Sequence, residues 1–126
     1  MKRHEARQKA LQVLFQLDNI ELTVKEAIEH VLDEEESDSF FEGLVNGTIE
    51  KKEEIDAVLA EKLENWSLSR LPKIERTVLR LALYELLYME ETPNRVVLNE
   101  AIELCKTFGD EKSSKFVNGV LSKFTE

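Results

Sequence analysis

The stretch PKIERTVLRLALYELLYME, residues 72–90, constrains this chain most. Its apolar residues lie around most of a helical circumference, so the helix they form must be surrounded by other elements on nearly every side. Pro72 suits the first turn of such a helix. Glu85 interrupts the pattern: by helical angle it falls inside the arc of Ile74, Val78 and Leu81. A carboxylate there needs partners, either backbone donors or an arginine. Without a second acid or base beside it, it is weak ground for catalysis.

The remaining sequence supplies helices to surround this one. Four Gly and two Pro among 126 residues leave little material for turns, and 42% apolar residues argue for a globular chain. Residues 4–17 repeat Ala6, Ala10, Val13, Leu14 and Leu17 at helical spacing. A second helix starts near Thr23, where TVKE offers a capping box with Glu26, and the acidic run DEEESDS ends it. Ser39 with Glu42 offers another box, opening a long helix to about Glu64. Asn46-Gly47 within it reads equally as a hairpin turn, but the helical period resumes on both sides. Asn94 can cap a helix burying Val97, Leu98, Ala101, Ile102, Leu104, Cys105 and Phe108, with Gly109 as its stop. The last helix, about 111–124, buries Val117, Val120, Leu121 and Phe124. The expected fold is all-α, six to seven helices in two small packed bundles. One domain spans 1–126, with halves 1–64 and 65–126 joined near 64–72 at WSLSRLP.

Chemistry is sparse. No phosphate-binding glycine loop, metal-ligand cluster or nucleophile motif is present, so neither cofactor nor metal is implied and an enzyme is not expected. His4 and His30 stand alone in sequence and read as surface or interface residues. The single cysteine, Cys105, lies on an apolar stripe as a small core residue and fits a reducing compartment. No apolar run approaches the roughly 20 residues that span a membrane, and no signal core follows the basic start. A cytosolic protein is expected. The sequon NGT at 46–48 is idle there.

Charge is uneven. The chain carries −9 overall, yet residues 1–10 hold Lys2, Arg3, Arg7 and Lys9 against Glu5, while residues 18–64 hold four bases against sixteen acids. Within about 8–10 Å a local cluster can dominate the potential, so the overall charge does not exclude a polyanion partner. Arg3 and Arg7 lie on one flank of the first apolar stripe, Lys2 and Lys9 on the other. The stripe holds only alanines at this end, so shallow packing with accessible bases is expected. On the last helix Phe116 lies about 80° from the buried stripe, towards Lys112, where a ring beside a lysine can stack an unpaired base. By itself either feature also reads as ordinary surface or core edge.

Three strings, VLRLALYELLY (78–88), NEAIELCKTFG (99–109) and KFVNGVL (115–121), in that order and near that spacing, resemble the NusB family of bacterial transcription antitermination factors. EARQKALQVLFQL near the start resembles the family's first helix, so the likeness covers nearly the whole chain. The resemblance implies binding of boxA RNA in nascent ribosomal transcripts, with the small-subunit ribosomal protein NusE as partner, in a complex that loads onto RNA polymerase. It assigns RNA contacts to Lys2, Arg3, Arg7, Lys9, Lys112 and Phe116. It assigns the NusE side to Phe15, Glu75 and Arg76. His4 and Glu5 interrupt the denser arginine tract of many members. With three or four phosphates engaged, the log–log salt slope for single strands is only about −2 to −3, so NusE would extend the surface and share the binding energy.

A second reading is a protein–protein adaptor or homodimer in which the basic helix is an interface. Related helical domains also occur fused to RNA cytosine methyltransferases, but this chain has no room for that catalytic domain.

Overall fold

The computed structural model describes residues 1–64 and 67–125. Seven α-helices run α1 (Arg3–Asn19), α2 (Val24–Leu32), α3 (Ser39–Glu50), α4 (Lys52–Lys62), α5 (Lys73–Tyr88), α6 (Asn94–Phe108) and α7 (Glu111–Ser122), with a 3₁₀ turn at Leu68–Arg70. No strand occurs among the described residues. Asn65 and Trp66, at the head of the expected 64–72 junction, lie outside them.

As its apolar circumference requires, α5 is central and packs against α1, α3, α4, α6 and α7. Val78, Leu79, Leu81, Ala82 and Leu83 are all buried, each large side chain contributing about 1.5–3 kcal/mol of transfer free energy. α1 gathers α2 and α3, α6 and α7 pack on each other, and the α1–α5 and α3–α5 contacts join the two groups. α1 runs antiparallel to α5. Its Arg7 meets Glu85 late in α5, and its Asp18 meets Arg76 and Arg80 earlier in that helix.

The local signals were partly displaced by stronger neighbours. The box at α2 forms: Glu26 N donates to Thr23 Oγ1 at 3.1 Å and Thr23 N to Glu26 Oε1 at 3.0 Å. At α3 the cap is Asp38, not Ser39. Phe41 N donates to Asp38 Oδ1 at 2.8 Å, and Glu42 accepts from the Ser37 hydroxyl instead. A carboxylate one residue earlier makes the stronger, charge-assisted bond.

The expected long helix to Glu64 is two helices. The break lies at Lys51 (φ −97°, ψ 11°), inside the charged run 50–54, and not at Asn46-Gly47. Gly47 sits in unbroken helix, where the Tyr84 ring lies so close that a Cβ would overlap it. Asn94 is the first residue of α6 rather than its cap; Val96 and Val97 N donate to the Pro93 carbonyl at 3.0 and 3.3 Å. Gly109 does stop α6, with φ −125° rather than a left-handed turn. A side chain there would press within 3.0 Å of the Cys105 carbonyl. α7 starts from an unforeseen cap, Asp110, whose Oδ1 accepts from Ser113 N at 2.8 Å.

Candidate nucleic-acid interface

The start of α1 packs more deeply than its alanines imply. Ala6 and Ala10 are fully buried, and their small side chains let the helix approach its neighbours closely. This draws Arg7 inward to 4% exposure, so the expectation of accessible bases fails for that residue. Arg7 Nε donates to Glu85 Oε1 at 2.8 Å and Nη2 to Oε2, a bidentate pair. Glu100 stands 3.5 Å from the guanidinium. Burial by itself would lower the Arg7 pKa, but the Glu85 bond and charge, with Glu100 behind them, outweigh it and raise it.

Lys2 and Arg3 are exposed. The Arg3 guanidinium lies over the Phe40 ring, 4.1 Å from its centroid, and Arg7 lies 5.2 Å from the same ring. Arg3 and Arg7 therefore share one flank, as the helical spacing predicts. Phe40 holds its place because the Asp38 cap starts α3 just before it. Stacking preorganises Arg3 without neutralising it. Lys9 is half-buried, with Nζ 3.5 Å from Glu35 in the acidic run. His4 Nδ1 bonds Glu100 Oε2 at 2.7 Å. Among the described residues neither Lys2 nor Arg3 makes an ion pair, so these two carry the open positive charge of the tip.

Phe116 and Lys112 stand elsewhere. Arg70, Leu71, Pro72, Glu75, Lys112 and Phe116 line one groove of about 340 Å³. Glu75 is ten residues before Glu85 on α5, about 15 Å along the helix axis. The ring and the basic tip thus mark opposite ends of α5 rather than neighbouring points. The same groove brings Glu75, read from sequence as a partner-side residue, beside the two residues read as RNA contacts. Arg76 reaches Asp18 at 3.6 Å and the Ser69 carbonyl at 3.5 Å. Asp18 is one turn beyond the half-buried Phe15, so Phe15 and Arg76 come to the same end of the α1–α5 pair.

Two residues of this surface escaped the sequence. Phe40 carries the stacked arginine, and only folding brings residues 3 and 40 together. Arg70 enters the Phe116 groove from the 3₁₀ turn, whose three residues carry no periodic signal. Among the described residues no group of three or more His, Cys, Asp or Glu side chains could hold a metal ion, and no helix is long and apolar enough to cross a membrane.

A model of the NusB family matches residues 4–126. The transcription antitermination protein NusB of Lysinibacillus sphaericus is 74% identical over 126 residues, covering 100% of this chain and 98% of that protein. The protein of the same name in Bacillus subtilis is 55% identical over 122 residues, covering 97% of this chain and 93% of its own length. Among solved structures, T. maritima NusB superposes with a TM-score of 0.87 at 36% identity, covering 98% of this chain and 89% of that one. A chain from the crystal structure of antitermination factors NusB and NusE in complex with dsRNA superposes with a TM-score of 0.85 at 33% identity, covering 98% and 96%.

Proposed function

This chain belongs to the NusB family, and from that premise we propose that it is a transcription antitermination factor that grips boxA RNA together with NusE. It does so in the cytosol, as part of the RNA polymerase antitermination complex, and as one RNA-binding domain rather than an enzyme. The observation that carries this reading is the open charge of Lys2 and Arg3 on a chain of net charge −9, with Arg3 held ready on Phe40.

The phosphate-binding set is then Lys2 and Arg3 at one end of α5 and Lys112 at the other, with Phe116 beside it. Lys9 contributes less, because Glu35 faces it. Arg7 is a positioning residue: its charge is matched inside the protein, and it anchors α1 so that the tip projects. These cations supply register on the strand and little sequence discrimination, which falls to splayed bases. Three phosphates at about 0.7 each give a log–log salt slope near −2. Such a surface is weak alone, and NusE at the Phe15, Glu75 and Arg76 side lengthens it. The acidic body limits indiscriminate binding to other RNA and favours a basic partner.

The test is a titration of boxA-type against scrambled RNA by the wild type and by Lys2→Ala/Arg3→Ala, with and without NusE. The double variant should lose about 1.4 from the salt slope and bind boxA-type RNA more weakly in both conditions. Equal binding by both proteins in both conditions places the RNA elsewhere. A changed oligomeric state with unchanged RNA binding favours an interface role for the tip.

A further inference from the structure

Phe116 has a second groove on its other side, about 280 Å³ in volume, between the end of α4 and α7. Lys62, Lys115, Gly119 and Lys123 line it together with Phe116. We infer that this groove is a second single-stranded RNA subsite, which takes the nucleotides that continue past Phe116 from the Lys112 groove. The inference rests on the RNA-binding reading above and extends it to Lys62, Lys115, Gly119 and Lys123, none of which that reading gives a role.

Three observations carry it. The first is continuity: Phe116 is a wall of both grooves, so a strand lying along one meets the mouth of the other. The second is charge. Among the described residues three lysines face a single acid, Glu64, in a chain whose segment 18–64 is otherwise strongly acidic. Lys123 is partly committed, donating to the Lys62 carbonyl at 3.0 Å and standing 3.4 Å from Glu64. Lys115 is exposed and makes no ion pair among the described residues. Lys62 is exposed, its only described side-chain contact being the Phe124 ring at 6.0 Å. Two cations are therefore open to phosphates.

The third is the floor. Gly119 lies within α7, where glycine destabilises a helix by roughly 0.5–1 kcal/mol relative to alanine. Its backbone conformation does not require glycine, and a Cβ there would meet nothing within 4 Å. Packing does not explain it. A bare backbone at this point lets a ribose–phosphate chain lie directly against the helix between the two lysines.

The experiment compares three RNAs on the full chain with NusE present: a boxA-type core, and the same core extended by four unstructured nucleotides at its 5′ or its 3′ end. The proteins are the wild type, Lys62→Gln/Lys115→Gln and Gly119→Glu. One extended RNA should bind the wild type about fivefold or more tightly than the core, with a salt slope steeper by about 1.4 for two added phosphates. Both variants should erase that advantage and bind the core within about twofold of the wild type. Gly119→Glu should melt no lower than the wild type, since the added side chain has open space. The subsite is overturned if neither extension helps, if the variants keep the advantage, or if they weaken the core RNA equally, which is a long-range charge effect. If the wild type fails to bind the core, the antitermination reading falls and takes this one with it.

Discussion

Arg7 and Glu85, 78 positions apart in the chain, form a buried bidentate ion pair that ties the start of α1 to the end of α5. Both side chains are at most 5% exposed. The acid that interrupts the central helix and one arginine of the basic tip thus satisfy each other. The pair separates a buried arginine from an exposed one within a single helical turn: Arg3 stays outside on Phe40 while Arg7 is held within.

Breaking the pair on one side should be far worse than replacing both partners. Glu85→Leu strips the buried Arg7 of its bidentate partner, leaving only Glu100 at 3.5 Å, and should cost about 3–5 kcal/mol in urea unfolding. Arg7→Met/Glu85→Leu should recover most of that loss, because two apolar side chains need no partner. The double variant should also keep its RNA salt slope, since Lys2 and Arg3 remain. A double variant as unstable as the single one shows that the pair does not act as a unit.

The helical glycines should respond to alanine with opposite signs. Gly43 and Gly119 have open space where a Cβ would go, so each substitution should stabilise by about 0.5–1 kcal/mol. Gly47→Ala drives a methyl group into the Tyr84 ring and should destabilise by about 1–3 kcal/mol. Adding Tyr84→Ala should relieve the clash, which a double-mutant cycle would register as a coupling between the two positions.

Two helix caps should shape the acid limb of stability. The backbone N–H of Thr23, then its side chain, holds the Glu26 carboxyl below its usual range. The backbone N–H of Ser113, then its side chain, does the same for Asp110. A depressed carboxyl contributes stability above its unfolded pKa and loses it as pH falls through the folded value. Glu26→Gln/Asp110→Asn keeps acceptors at both caps but removes the titration. Its stability should therefore fall less steeply than the wild type's below about pH 4.5.

Burial pushes the Cys105 thiol up to about 12, with smaller contributions from Glu75 and Asp110. The native thiol should resist alkylation at pH 8, and its labelling should track unfolding. A raised folded pKa also means stability that is complete below the unfolded value near pH 8.5–9 and lost as pH rises towards 12. Cys105→Ala should therefore show a shallower alkaline decline than the wild type. Rapid labelling under native conditions would show instead that the α6–α7 packing opens readily.

The helices themselves were legible because amphipathic period is a property of neighbours in sequence. The Thr23 box, the central role of residues 72–90 and the core place of Cys105 all followed from spacing. Boundaries were less legible where two local signals competed. Asp38 displaced Ser39 as a cap, and the break at Lys51 fell inside a charged run where the apolar pattern continues on both sides. The candidate site was legible as residue types and not as an arrangement. Lys2, Arg3, Lys112 and Phe116 could be named from the chain, but Phe40, Arg70 and the lysine groove beyond Phe116 could not.

By itself the sequence determined an all-helical chain with one enclosed helix, a cationic start and a carboxylate in the core that required a partner. These follow from 3.6-residue periodicity and the cost of burying a charge, and both act wherever the chain folds. Only the tertiary structure decided which charges remain available. It matched Arg7 with Glu85, laid Arg3 on Phe40 and set Phe116 in the groove beside Glu75, ten residues before Glu85 on α5. Those outcomes depend on how α1, α3 and α5 pack, and helix packing joins residues whose separation in sequence carries no periodic signal.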